Sequence, residues 1–283
     1  MPELPEVETI ARKLAPLLAN QRLANIQQHH PKSLHGDSAA LVGKKILSVT
    51  RRAKIIRVQL QDELNILIHL KMTGQLIYQD SSQRVGGGHP TADWVNELPG
   101  KHTRVEITLD SGAKLYFNDQ RLFGWLKIMT DEAVAAVYSA LAPDITDDAV
   151  TIEYWQGKLS RRKQAVKQVI MDNAVVCGIG NIYACDALNV AMISPFAPAS
   201  SLTPAKMQNL LIAAKSVIAQ GVKLGGTTFD GKYVDVHGFA GQYQSVVRVY
   251  GREGKACVNC GEKIVKMQLG GRGTYFCPNC QKS

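Results

Sequence analysis

No apolar run in the 283 residues approaches the roughly 18 to 20 that a membrane span requires. The N-terminus also lacks the basic stretch of a secretory signal, being acidic instead. These two absences predict a cytoplasmic chain with no membrane partner. Internal repeats and low-complexity tracts are missing too, which excludes solenoids and tails. Acidic residues are in short supply: 24 Asp and Glu face 33 Lys and Arg, leaving a formal charge of +9. That excess points to a polyanionic partner, nucleic acid first, and says nothing about fold. Cysteine is scarce as well, and four of the six sit in two C-x-x-C pairs, a pattern that favours metal over disulfide in a reducing compartment.

What is present is enough for about two folded domains, with 45% hydrophobic and 20% charged residues. Val7, Ile10, Leu14, Leu17 and Leu18 fall at helical spacing behind a Pro-Glu-Leu-Pro-Glu entry, predicting an amphipathic first helix. From about Gln21 to Ile128 the texture becomes β-branched and alternating, in runs such as 45–49, 55–60, 64–70, 104–109 and 114–117. These runs predict antiparallel strands in a two-sheet sandwich. The triple glycine within Ser81 to Pro90 predicts a mobile loop. Beyond Thr130, with Asp131 as the expected N-cap, helical periodicity takes over in 147–159, 161–171, 180–189 and 203–220. The class is therefore α+β: an N-terminal sandwich domain with a first helix (1–130), a helical domain (131–244) and a four-cysteine module (245–283).

The spacing Cys257-x2-Cys260-x16-Cys277-x2-Cys280 suits one tetrahedral four-thiolate zinc. Four thiolates leave no open coordination position, so the zinc is structural, stapling a segment too small to bury a core of its own. From Ser245 to Ser283 seven basic residues face two glutamates, so this ribbon is expected to touch phosphate. Arg272, between Gly271 and Gly273, falls at the expected hairpin tip. A second basic cluster, Lys158 to Lys167, precedes Gly178-Ile179-Gly180-Asn181, where a tight turn between helices could present Asn181 and backbone amides to a phosphate. Cys177 and Cys185 lack ligand partners and are expected to be buried apolar residues.

The N-terminus carries the most unusual signal. Met1 precedes a small residue, so its removal would expose the secondary amine of Pro2 beside Glu3 and Glu6. An α-amine titrates near 8, well below lysine, so part of it is an unprotonated nucleophile at neutral pH. It could attack a sugar C1′ and form a Schiff base, with Glu3 as general acid/base. From these residues alone the better reading is still an acidic helix start containing prolines.

Taken together, Pro2-Glu3-Leu4-Pro5-Glu6-Val7-Glu8-Thr9, Arg51-Arg52-Ala53-Lys54, His69-Leu70, Lys101-His102, Arg121-Leu122-Phe123-Gly124, Gly178-Ile179-Gly180-Asn181-Ile182-Tyr183-Ala184, Val249-Tyr250-Gly251-Arg252 and the four cysteines resemble formamidopyrimidine-DNA glycosylases along nearly the whole chain. The resemblance implies a β-sandwich, a helix-two-turn-helix domain and a zinc finger, with duplex DNA held in a cleft between domains. It also implies a bifunctional glycosylase and abasic-site lyase of bacterial base excision repair. The expected substrates are oxidised purines, 8-oxoguanine and formamidopyrimidines, processed by β,δ-elimination by a monomer with no cofactor beyond zinc. By this carry-over Pro2 is the nucleophile, Glu3 the general acid/base, and Lys54 the lysine on the phosphate flanking the lesion. Asn181 and Arg272 become phosphate holders. Met72, Arg121 and Phe123 fill the hole left by the everted base, and the glycine-rich stretch from Thr227 to Gly241 covers that base. Ala53 and Lys71 stand where the family usually has glycine, and Leu122 where it has a basic residue; Cys185-Asp186 also depart from the usual pattern. These departures leave a preference for oxidised pyrimidines open. A lesion-sensing zinc protein without chemistry is the alternative of another class, and an intact Pro2-Glu3 pair argues against it.

Overall fold

The computed structural model describes residues 2–89, 91–227 and 241–282. Its chain separates into two compact units, the first formed by residues 1–140 with 224–242, the second by 141–223 with 243–283.

The first unit opens with α1 (Leu4–Leu18), followed by ten strands: β1 (Leu23–Gln28), β2 (Leu34–His35), β3 (Ile46–Arg52), β4 (Ile55–Leu60), β5 (Leu64–His69), β6 (Gly74–Gln79), β7 (Arg84–Gly88), β8 (Thr103–Leu109), β9 (Lys114–Asp119) and β10 (Trp125–Thr130). They form two five-stranded sheets, ordered β1-β8-β9-β6-β7 and β2-β10-β5-β4-β3. Alternating burial along β4 and β8 reflects the period-two geometry of strands with one face on a core. That core lies between the sheets and takes in Ile56, Ile68, Leu76, Val105, Phe117 and Leu126. Val7, Ile10, Leu14 and Leu18, one face of α1, join it. Through that face α1 packs on β3 and β7, the edge strands of the two sheets, and so shields one edge of each.

Three expectations about the first unit need correction. The stretch around the triple glycine is not a loop: Arg84–Gly88 is β7, paired antiparallel with β6. The glycines serve packing there, since a Cβ on Gly87 would collide with Cγ1 of Ile10. The second sheet is not wholly antiparallel, because Leu34 and His35 pair parallel to β10. The N-cap of α2 (Asp131–Ser139) is Thr130, whose hydroxyl accepts from the N–H of Ala133, while the Asp131 carboxylate accepts from Arg57 and Asn65.

The second unit contains α3 (Ile152–Leu159), α4 (Val166–Ile170), α5 (Asn181–Val190), α6 (Pro204–Lys223) and the hairpin of β11 (Val265–Leu269) and β12 (Arg272–Phe276). The helix expected over 161–171 is confined to the short α4. Every residue of α5 from Ile182 to Asn189 is buried, as befits a helix with apolar neighbours all round. Asp186, within α5, accepts hydrogen bonds from the Tyr243 hydroxyl and the N–H groups of Arg248, Val249 and Tyr250, anchoring the segment that leads to the cysteines. Burial raises the pKa of this carboxyl against the lowering effect of those donors.

Candidate active site and nucleic-acid interface

In the first unit Lys54, Met72, Arg121 and Phe123 gather at one end of the second sheet. The register places Ile55 opposite His69 and His69 opposite Trp125. The turns β3–β4, β5–β6 and β9–β10 therefore lie side by side, and they carry Lys54, Met72, and Arg121 with Phe123. In each turn the residue just before Lys54, Met72 or Phe123 is left-handed without being glycine: Ala53 at φ 53°, Lys71 at 50° and Leu122 at 57°. Such a conformation disfavours an L side chain by about 1 to 2 kcal/mol, and strain of this kind tends to collect where a site requires it. Phe123 is 51% exposed and Met72 36%, so both side chains are presented at this edge. The Arg121 guanidinium lies 4.7 Å from the centroid of the Phe123 ring.

The turn bearing Lys54 is tied to α1. Arg51 donates through Nε to Glu8 at 2.5 Å and through Nη1 to the Ala53 carbonyl at 2.9 Å. Burial of Glu8 opposes its ionisation, but the hydrogen bonds and charges of Arg51 and Arg12 outweigh it and hold the carboxyl below its ordinary pKa. His69 sits on the same edge, its ring 5.6 Å from that of Trp125. Its Nδ1 accepts from the N–H of Lys71 at 3.0 Å, so Nε2 carries the proton. Burial, then the charges of Lys71 and Lys54, push its pKa down to about 3.

Pro2 and Glu3 are buried at the entry to α1. Glu6 accepts the Glu3 N–H at 2.8 Å through one carboxylate oxygen and the Thr227 N–H and hydroxyl through the other. Glu3 and Glu6 thus shape the helix start together as a capping box, the side chain of each accepting from the backbone N–H of the other. Met1 and the covering stretch 228–240 lie outside the described residues.

In the second unit Asn181 is the first residue of α5. Its Oδ1 accepts from the buried ammonium of Lys167 at 2.5 Å and its Nδ2 donates to the Gly273 carbonyl at 3.0 Å. Lys167 also donates to the Thr274 hydroxyl at 2.7 Å, so one buried cation locks the interhelical turn to the hairpin. Gly270 and Gly271, both at positive φ, form the hairpin tip; Arg272 begins β12 directly after it and is exposed. Lys167 and Arg272 line a cleft of about 190 Å³ together with Gln168, Met171, Leu269 and Gly270. The Sγ atoms of Cys257, Cys260, Cys277 and Cys280 all lie within 4.8 Å of one another. A tetrahedral zinc with bonds of about 2.3 Å sets sulfurs roughly 3.8 Å apart. The cluster fits that ion, with Cys257 4.0 Å from Cys280 and Cys260 3.5 Å from Cys277. Cys177 and Cys185 are buried, as expected.

Comparison with known proteins matches this arrangement segment by segment. Residues 1–126 match the formamidopyrimidine-DNA glycosylase N-terminal domain, 141–232 the H2TH domain of the same enzymes, and 254–282 a zinc finger found in FPG and IleRS. Fold and site together define a zinc-finger DNA glycosylase of DNA repair. The formamidopyrimidine-DNA glycosylase of Pelotomaculum thermopropionicum is 35% identical over 289 residues, covering 100% of this chain and 99% of its own. That of Corynebacterium aurimucosum is 36% identical over 292 residues, covering 99% and 96%. The chain belongs to the formamidopyrimidine-DNA glycosylase family and is an enzyme of its glycosylase and abasic-site lyase class. Among solved structures, the FPG protein of Thermus thermophilus superposes with a TM-score of 0.85 at 35% identity, over 99% of this chain and 98% of its own. A Lactococcus lactis FPG mutant in complex with Fapy-dG-containing DNA gives 0.89 at 26% identity, and the wild-type Lactococcus lactis protein with DNA containing an oxidised pyrimidine gives 0.87 at 26%; both cover 100% of each chain. No helix among the described residues is long and apolar enough to cross a membrane.

Proposed function

We propose that this chain acts as a monomer in the bacterial cytoplasm, removing 8-oxoguanine and formamidopyrimidines from duplex DNA and cutting the resulting abasic strand. Pro2 is the nucleophile. Its amine attacks C1′ of the everted nucleotide as the bond from C1′ to the base breaks, and the base leaves with a proton. The amine then loses its own proton and the C1′–O4′ bond opens with a proton delivered to O4′. This gives an iminium already charged and primed for β- and then δ-elimination. Glu3 moves the protons. The observation that carries this reading is the helix start, where Glu3 and Glu6 form a reciprocal capping box, Glu6 is held further by Thr227, and Pro2 is buried next to Glu3. Lys54 holds the phosphate beside the lesion, Asn181 and Arg272 hold neighbouring phosphates, and Met72, Arg121 and Phe123 fill the vacated stack. After eversion an orphaned cytosine offers O2 and N3 acceptors that the Arg121 fork satisfies together, a pair that adenine lacks. The four cysteines hold one zinc that stabilises the hairpin.

Borohydride trapping tests the assignment. The mature protein should be captured covalently on lesion-bearing duplex, and Pro2→Gly should lose most of the adduct. Wild-type trapping by a protein that retains Met1 would overturn it. A second reading, extension to oxidised pyrimidines, is favoured by the likeness to the Lactococcus lactis protein solved with such DNA. Duplexes each carrying one lesion separate the two by rate.

A further inference from the structure

The two turns bearing Met72, and Arg121 with Phe123, are fastened together by one buried carboxylate. Asp119 closes β9 and is 0% exposed. Its Oδ1 accepts from the Thr73 hydroxyl and, at 3.2 Å, from the N–H of Arg121. Its Oδ2 accepts from the N–H of Gly124 at 2.7 Å. The Thr73 oxygen in turn accepts from the Arg121 N–H at 3.1 Å, closing a ring across the two turns. Gly124 permits this closeness: a Cβ there would stand 2.7 Å from Phe117 Cζ and 3.1 Å from the carboxylate itself. Hydrogen bonds to a buried carboxylate are charge-assisted and harder to open than neutral ones. Met72, Arg121 and Phe123 thus hang from a single rigid knot although they come from separate hairpins.

We infer that Asp119 and Thr73 are positioning residues for reading the base opposite the lesion: they make the three side chains one wedge and aim the Arg121 fork without touching DNA. The inference rests on the role given to Arg121 above. Two hydrogen bonds to one base edge require the guanidinium to arrive in a fixed plane, and the Arg121 backbone N–H, held by both Thr73 and Asp119, sets where that side chain begins. Thr73→Val keeps the shape, removes the donor to Asp119 and removes one of the two acceptors for Arg121. The turn then pivots on its remaining bonds, and the guanidinium meets cytosine over a spread of orientations.

The test is the ratio of single-turnover base-release rates opposite cytosine and opposite adenine, taken within each protein so that any loss of folded enzyme cancels. Thr73→Val should lower the ratio roughly three- to tenfold, the worth of one net hydrogen bond. Thr73→Ser, which restores the hydroxyl, should return it to the wild-type value. Asp119→Asn, which keeps the shape but turns one of the two accepting oxygens into a donor, is the second variant and should lower the ratio at least as far. If Arg121→Ala levels the two rates while Thr73→Val and Asp119→Asn keep the wild-type ratio, the positioning role is overturned and the reading of Arg121 stands. If Arg121→Ala itself keeps the ratio, the reading of Arg121 fails first. A Thr73→Ser protein as unselective as Thr73→Val would also overturn the inference, since the hydroxyl would not be the operative group.

Discussion

Lowering the pH should leave His69 neutral long after an ordinary imidazole has charged, and folding should weaken as a result. Protonating this ring means placing a cation in a buried position between Lys71 and Lys54 and breaking the bond that its Nδ1 accepts from the Lys71 N–H. The imidazole goes from an unfolded pKa of 6.5 to about 3 in the folded protein. A group whose folded pKa is depressed in this way favours the native state only while neutral. Its contribution is complete above pH 6.5 and is lost as the pH falls from 6.5 towards 3. Each pH unit inside that window removes about 1.4 kcal/mol, so at pH 5 the loss is about 2 kcal/mol. Ring NMR signals of the seven histidines, with His69 assigned by its disappearance in His69→Gln, give the direct measurement: its shift should stay constant from pH 8 to 5. In chemical denaturation the wild type should lose about 2 kcal/mol more than His69→Gln between pH 7 and 5. A His69 midpoint between pH 6 and 7 would refute the reasoning, because it would place the ring in water or beside an acceptor.

Two further outcomes are expected. Cys257→Ser should release zinc and sharply weaken duplex binding, because the hairpin has too small a core to hold its shape without metal; normal binding by the zinc-free protein would show that the hairpin is no binding element. Lys71→Gly should be more stable than Lys71→Ala by about 1 kcal/mol, the reverse of the usual order, since only glycine relaxes at a left-handed position; equal melting temperatures would mean that the turn is not left-handed.

The elements legible in the sequence are those whose pattern is local. Strands such as Ile55–Leu60 and Leu64–His69 declare themselves by β-branched alternation, α1 by the spacing of Val7, Ile10, Leu14 and Leu18, and the zinc site by two C-x-x-C pairs. Strand β7 is hidden because three glycines read as a turn until their neighbours in the fold explain them, Ile10 beside Gly87 and the backbone of Gly74 beside Gly88. Thr130 is overshadowed as N-cap because Asp131 is the better capping residue in isolation; in the fold, Arg57 and Asn65 claim its carboxylate. Within the candidate site, Pro2, Glu3, Lys54 and the wedge residues can be marked from motifs. The groups that fasten the wedge turns and Asn181 cannot, since Thr73 and Asp119 are 46 residues apart and Lys167 and Thr274 are 107 apart, and only the fold brings them together. Ala53, Lys71 and Leu122 stand out as departures from a pattern, yet their shared left-handed backbone emerges only from the turns themselves.

The bond from Thr227 to Glu6 spans 221 residues, and this has a consequence for how the protein is made. On the ribosome the sandwich strands emerge first and can pair among themselves. The carboxylate at the mouth of α1 must wait until the whole of 141–223, which belongs to the other compact unit, has left the exit tunnel. Closing so long a loop adds only a few kcal/mol of entropy, because that cost grows with the logarithm of length. The delay is therefore one of synthesis time, not of energy. A nascent chain halted before residue 224 would carry a folded sandwich whose helix start is not yet clasped, so the surroundings of Pro2 are finished only once the helices beyond it exist.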